Sequence, residues 1–169
     1  RPIRDKAETG GICREQNIVE FFNLGEMPLP NSFLKKEQFK IKEPVYPLAI
    51  GYCAGCGLVQ LMYIVKPELM FKNYVYVPSA SGARLENFKQ IIHEMTSLSR
   101  PSRSSLAIDI GSNDGSMLME FKKEGIKVLG IDPAENLAKL AEMKGVPNIC
   151  DYIKPTLARK IGIKNGSAD

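Results

Sequence analysis

The chain has 169 residues, 44% of them hydrophobic and 25% charged, with a formal net charge of +4. That is the composition of folded domains and not of disordered segments, and the length suits one good-sized domain or two small ones. Lys and Arg are scattered without a run of five, which argues against a nucleic-acid stripe. No apolar stretch approaches the roughly 18 residues of a membrane helix, and Arg1–Lys6 leads into no signal-like apolar run.

Four cysteines without a secretory signal point to the reducing cytoplasm. There, closely spaced cysteines are more often metal ligands than disulfides. The first residue is Arg and not Met, which reads as a trimmed chain.

Residues 1–81 are rich in turns, proline and aromatics. Ile18–Phe22 reads as a short strand ended by Asn23-Leu24-Gly25, followed by a proline-punctuated loop from Met27 to Asn31. Tyr46–Tyr52 and Leu58–Tyr63 read as two more strands. So small a core needs a staple, such as a metal, or a larger neighbour. Cys53-Ala54-Gly55-Cys56-Gly57 is a C-x-x-C knuckle whose thiolates suit tetrahedral zinc, and Cys13 is a third candidate ligand. A fourth is not evident. Gly10 and Gln16 flank Cys13 at the offsets that would complete a second knuckle, and neither carries a thiol. A redox-active pair would want a thioredoxin-like β-α-β context, which residues 40–66 lack. A structural zinc site, complete or degenerate, is favoured over plain thiols. Cys150 reads as a small buried apolar residue, and His93, the sole histidine, as a solvated surface residue.

From Ala83 to Leu98 the period becomes helical, with Leu85, Phe88, Ile91, Ile92 and Met95 on one stripe. Ser81 is placed to cap that helix. Ser99–Ser105 is a polar connector, so residues 82–105 read as helix and linker between a first domain, 1–81, and a second, 106–169.

The second domain opens with Leu106–Ile110 as a buried strand, a glycine turn, a helix from about Met117 to Lys123 closed by Gly125, and Lys127–Ile131 as the next strand. Asp132-Pro133 then starts a helix closed by Gly145, and Val146–Ile149 is a third short strand. This β-α-β-α-β order predicts an α/β fold: the first half of a doubly wound, Rossmann-like sheet behind a small β-rich cysteine domain.

The turn Asp109-Ile110-Gly111-Ser112-Asn113-Asp114-Gly115 lies at the carboxyl end of a strand, where such sheets bind ligands. Gly111 lets a ligand approach the main chain, and Gly115 permits close packing where the helix begins. The spacing is G-x-x-x-G and not the dinucleotide G-x-G-x-x-G. Asp132, 23 residues after Asp109, ends the neighbouring strand and can accept hydrogen bonds from ribose hydroxyls. The bland alternative makes the glycines turn residues and Asp132 a helix cap. With both acids and the β-α-β frame the ligand reading is favoured, and the absence of a pyrophosphate-type glycine pattern favours a nucleoside over NAD.

Taken together, these motifs resemble the sugar C-methyltransferase family. Cys13-Arg14 is similar to its opening knuckle, and Asn23 to Asn31 to its "LG-x-x-PL-x-N" loop. Tyr46-Pro47-Leu48 and Cys53 to Leu61 resemble its second knuckle with a "GLVQ" tail. Asn73 to Ser81 resembles "YxYxSSxS", with Pro78 where a serine is common, and Asp109 to Gly115 resembles "EIGSNDG". The likeness runs over nearly all of the chain.

The resemblance implies a zinc-binding domain before a class I methyltransferase domain that uses S-adenosylmethionine on keto-sugar nucleotides in deoxysugar biosynthesis. It implies that Asp109, Gly111, Ser112, Asn113, Asp114, Gly115 and Asp132 hold that cofactor, Asp109 at its methionine end. It gives Tyr76 an active-site role, its phenol donating to a developing oxyanion, with Tyr74 a weaker candidate. The family's histidine base and its C-terminal domain lie beyond the residues matched here, so a fragment that binds the cofactor weakly and turns over nothing is expected. A non-catalytic zinc-binding module with a remnant nucleotide fold, or a fragment of an NAD-dependent enzyme, are the alternatives. The sugar, the carbon and the oligomeric state are left open.

Overall fold

The structure, a computed structural model, describes residues 7–9, 11–166 and 168. The chain divides into two compact units, Arg1–Met70 and Phe71–Asp169.

The first unit is a three-stranded antiparallel sheet in the order β1-β2-β3, from β1 (Ile18–Pro28), β2 (Val45–Cys53) and β3 (Val59–Leu61). Along β2 the residues Ala49, Gly51 and Cys53 are buried while Tyr52 is exposed, the period of two of a sheet with one covered face. Gly51 leaves no room for a side chain: a Cβ there would meet Met62 and, at 2.7 Å, Ile18 Cγ2.

The strand expected to stop at Asn23-Leu24-Gly25 instead continues to Pro28, so Met27 and Pro28 belong to β1 and not to the loop after it. Register shifts between Glu20 and Phe22 and between Asn23 and Glu26 mark two irregularities. At the second, Gly25 adopts φ 73° and its N–H donates to Asn23 Oδ1 at 2.7 Å. The turn residues are real, but they make a bulge in a continuing strand.

A short helix, α1 (Pro67–Phe71), stands at the division between the units. The second unit then holds α2 (Gly82–Ser99), β4 (Leu106–Ile110), α3 (Ser116–Lys123), β5 (Lys127–Ile131), α4 (Glu135–Met143), β6 (Asn148–Ile149) and α5 (Pro155–Asn165). β4, β5 and β6 pair in parallel in that order. Ser81 caps α2, its Oγ accepting from Arg84 N–H at 3.4 Å. Of the expected stripe on α2, Ile92 is fully buried, whereas Ile91 and Met95 remain over a third exposed.

Leu118, Val128, Ala141 and Val146 form the core between α3, α4 and the sheet, with Ala107, Met119 and Phe121 packed on it. Burying each of Leu118, Val128 and Val146 stabilises by roughly 1.5–3 kcal/mol. Gly125 and Gly145 close α3 and α4 at φ 80° and 77°.

Two details differ from expectation. α4 starts at Glu135 and not at Asp132-Pro133, because Asp132 Oδ1 accepts the N–H of Ala134 and leaves the intervening residues in a turn. And α5, opened by Pro155 in its first turn, is a helix with only Leu157 and Ile161 as an apolar pair four apart, too sparse a stripe to announce itself.

Candidate functional site

Two sites stand on these frames, one in each unit. In the first, the Sγ atoms of Cys13, Cys53 and Cys56 all lie within 4.8 Å of one another, and the Cys13 and Cys53 sulfurs are 3.3 Å apart. Cys53 ends β2. Gly57 N–H then donates to Cys53 O at 2.7 Å, and Cys53 N–H to Leu58 O at 2.9 Å, which closes the knuckle. Gly57 makes this turn possible at φ 73°. Ala54 N–H donates to Asn17 O at 2.9 Å and so ties the knuckle to the segment after Cys13.

Cys13 and Cys56 are shifted in opposite directions. At Cys13 the backbone N–H of Glu15 favours the thiolate. Hydrogen bonds with Cys53 and Cys56, with some burial, outweigh it and push the thiol up to about 11. Cys56 is held below the usual thiol value by the Leu58 backbone N–H and by Cys13. Thiols this close, one yielding its proton while its neighbour resists, form the donor set that a bound cation relieves, and a soft set of this kind fits zinc. Among the described residues no other His, Cys, Asp or Glu completes the cluster. Gly10 lies outside the described residues. Cys150 is an exposed free thiol and not a buried one: it follows the two-residue strand β6 where the chain leaves the sheet. His93 is exposed on α2, as expected.

The second site is the crevice at the carboxyl ends of β4 and β5. The glycine turn is pinned to β5 by Gly111 N–H and Ser112 N–H, which donate to Ile131 O at 2.8 and 3.3 Å. Gly111 has φ 83°, and a Cβ there would meet nothing within 4 Å. The main chain is thus open on that side. Gly115 has φ 72° and heads α3, and its missing side chain lets Ala141 and Val146 come within 3.1 Å of where a Cβ would be.

Asp132 lies against this turn. Its Oδ2 accepts Asn113 N–H at 2.7 Å and its Oδ1 accepts Ala134 N–H at 2.8 Å. Each carboxylate oxygen keeps a further lone pair for a ligand hydroxyl. Asp109 is half-buried on β4, and its carboxylate has no hydrogen bond or ion pair among the described residues. Burial, and then the neighbouring charge of Asp132, push its pKa up. An acid so placed is stabilised by an incoming cation.

The other turn residues face elsewhere. Ser112 is buried, and its Oγ accepts from Asn148 Nδ2 at 2.9 Å beside Gly130; of Ser112, only the main chain borders the turn's open side. Asp114 is fully buried. It accepts from Lys144 Nζ at 2.6 Å, Ser116 N–H at 3.2 Å and Ser79 N–H at 3.3 Å. Burial alone would raise its pKa, but Lys144 and the two N–H groups hold it down at about 2. Its carboxylate is spent on the protein's own donors.

Asn113, at φ 52°, donates from Nδ2 to Tyr76 O at 3.1 Å. That contact belongs to a feature the sequence did not announce. Residues 72–79 run as a strap beside the turn, held by side chains from the turn after β4 and from the first turn of α4. Asn136 Oδ1 accepts Tyr74 N–H at 3.1 Å while its Nδ2 donates to Tyr74 O at 2.7 Å, as a neighbouring strand would. Glu135 N–H donates to Lys72 O at 3.2 Å. Tyr76 as a residue stays 44% exposed. The only advance signal for Asn136 was its position just after Asp132-Pro133.

Residues 11–71 match a family model described as "Putative zinc binding domain". A C-methyltransferase of Streptomyces niveus, NovU, is 27% identical over 157 residues, which is 93% of this chain and 37% of that protein. The chain therefore spans little more than a third of the length of the curated relative it matches. No helix among the described residues is long and apolar enough to cross a membrane. Residues 11–71 thus match the model of that cysteine domain, and the chain over most of its length is similar to part of a C-methyltransferase.

Proposed function

We propose that these residues form the cysteine domain and the opening of the cofactor crevice of an S-adenosylmethionine-dependent C-methyltransferase acting on a keto-deoxysugar nucleotide. The observation that carries this reading is the pair of acids at adjacent strand ends. Asp132 is bonded to the glycine turn at Asn113 N–H, and Asp109 is half-buried and unpartnered among the described residues.

The cofactor, when bound, supplies an electrophilic methyl group. Gly111 lets its nucleoside lie against the main chain. The lone pairs that Asp132 keeps accept from the ribose hydroxyls, and Asp109 faces the ammonium of the methionine end. Asn113 and Gly115 shape the turn, and Asp114 holds the turn to the strap. Ser112 contributes through its main chain.

On the substrate side, Tyr76 donates its phenol proton toward the oxygen that gains charge as the carbon beside the ketone loses its proton. That proton needs a base within hydrogen-bond reach, and these residues offer no match for the family's histidine. The 169 residues alone therefore bind the cofactor weakly and transfer no methyl group. Cys13, Cys53 and Cys56 hold a structural zinc. The partner is a nucleotide-sugar, with neither nucleic acid nor membrane involved, and the compartment is the cytoplasm.

Calorimetry with S-adenosylhomocysteine in competition against NAD tests the crevice. Binding of S-adenosylhomocysteine that NAD does not displace, and that Asp132→Asn abolishes, is the expected result. Preference for NAD would reject the nucleoside reading, and tight binding with methyl transfer by this chain would reject its inactivity.

A further inference from the structure

Three thiolates leave a tetrahedral site one ligand short, since structural zinc takes four protein ligands. The structure offers a fourth at Glu15. The residue lies two positions after Cys13, and its N–H donates to Cys13 Sγ at 3.5 Å, so the chain at 13–15 curls around that sulfur. Its side chain then folds onto the opposite turn. A Cβ added to Gly55 would collide with Glu15 Oε2 and come within 2.6 Å of its Cδ. Gly55 stands between Cys53 and Cys56, so the carboxylate rests on the loop that presents those two thiols.

The two knuckle glycines do different things. Gly57 has a positive φ that its turn requires, and its Cβ position is open; Gly55 has no such backbone demand, yet its Cβ position is filled by the carboxylate. The carboxylate end of Glu15 thus lies over Gly55, on the loop between Cys53 and Cys56. Among the described residues the Glu15 carboxylate has no hydrogen bond or ion pair of its own. Its oxygens are not within the 4.8 Å cluster of the three sulfurs, so ligation requires this exposed side chain to turn from Gly55 toward them.

We infer that Glu15, turning from its place over Gly55, supplies the fourth ligand of a three-thiolate, one-carboxylate metal site with Cys13, Cys53 and Cys56. The inference rests on the reading of those thiols as metal ligands. A carboxylate in place of the thiolate missing at Gln16 keeps the charge of the donor set and adds one hard oxygen to three soft sulfurs.

Zinc titration of the 169-residue chain against a chromophoric chelator, with X-ray absorption at the zinc edge, tests it. The bound ion should show three sulfurs at about 2.3 Å and one oxygen at about 2.0 Å. Glu15→Gln and Glu15→Ala should weaken zinc binding at least about tenfold, the lower end of what losing even an outer partner of a ligand does. Gln16→Ala should leave the affinity unchanged. A four-sulfur shell, unaltered affinity in both Glu15 variants, or a loss confined to Gln16→Ala would each overturn the assignment while the thiol site stood. Failure of the unaltered chain to take up zinc at all would remove the thiol site and this inference together.

Discussion

The two units solve the same problem with different means. In the second, Leu118, Leu137, Ala141, Val146 and Ile131 are almost completely removed from water, and the helices close over a parallel sheet. In the first, the buried apolar residues are Ala49, Cys53 and Met62, while Phe21, Phe22, Leu24, Val45 and Val59 on its strands are all more than 40% exposed. A sheet with so little covered surface does not hold itself together by apolar burial. What it has instead is a set of three sulfurs where the end of β2 meets the turn at Cys13. The comparison predicts where each unit's stability resides: in packing for one, in a cation held by Cys13, Cys53 and Cys56 for the other.

The sharpest way to break this comparison is to remove the metal. Structural zinc contributes apparent binding energies of roughly 10–16 kcal/mol in small zinc-dependent peptides, more than a sheet this thin has in reserve. Chelation, or Cys53→Ser, should melt β1–β3 while leaving β4–β6 folded. Hydrogen exchange read separately over Val45–Leu61 and Leu106–Ile131 would check it. If both stretches keep their protection without metal, the first unit is held by packing after all.

The same contrast decides what could be read in advance. The second unit follows the period of its apolar residues, so β4, β5 and α3 lie within a residue of where pattern alone puts them. The first unit is specified by chemistry at single positions, and these have more than one outcome. Asn23-Leu24-Gly25 has the residues of a turn, yet a Gly in the left-handed region also permits a bulge, and pairing with Ala49 and Pro47 on β2 decides for the bulge. The thiols were readable because sulfur spacing is rare and specific. The roles of Asp114 and Asn136 were not, because both depend on partners some 30 to 60 residues away, Lys144 and Tyr74. A turn sequence gives no hint which of its acids will turn inward.

A smaller test sharpens the picture of the second unit. Asp114 ties the glycine turn, α3, Lys144 and the strap at Ser79 into one buried knot. Its folded pKa is about 2 against an ordinary 3.8. The stabilisation is therefore present above the ordinary value and lost as pH falls through the folded one. That depression corresponds to about 2 kcal/mol. Asp114→Asn should lose that much at neutral pH in urea unfolding, and its stability should change less than that of the unaltered chain between about pH 4 and pH 2.

Asp109 should behave with the opposite sign. Burial and Asp132 raise its pKa, so its charged form is penalised in the folded chain above that raised value. Asp109→Asn should lift the thermal midpoint slightly at neutral pH, and the gain should vanish as the pH falls below the ordinary carboxylate range. The same change should weaken S-adenosylhomocysteine binding. A variant that is both more stable and a poorer binder marks a residue kept for a ligand and not for the fold; one that is less stable would show that Asp109 has a partner in the protein itself.

The smallest effect is expected at Asn136. Its amide substitutes for a strand, exchanging two hydrogen bonds with the main chain of Tyr74, and a typical bond of this kind contributes about 1 kcal/mol or less where water can compete. Asn136→Ala should leave global unfolding nearly unchanged, because neither bond lies in the core. It should instead free residues 72–79 locally, seen as faster amide exchange at Tyr74 and Tyr76. Asn136→Asp is the informative companion, since it can still accept from Tyr74 N–H but cannot donate to Tyr74 O. If the strap is held by the pair of bonds, the aspartate variant should fall between the other two. If exchange at Tyr74 is unaltered in both, the strap is held by its other contacts, those with Glu135, Asn113 and Asp114 among them, and the mimicry of a strand by Asn136 is incidental to it.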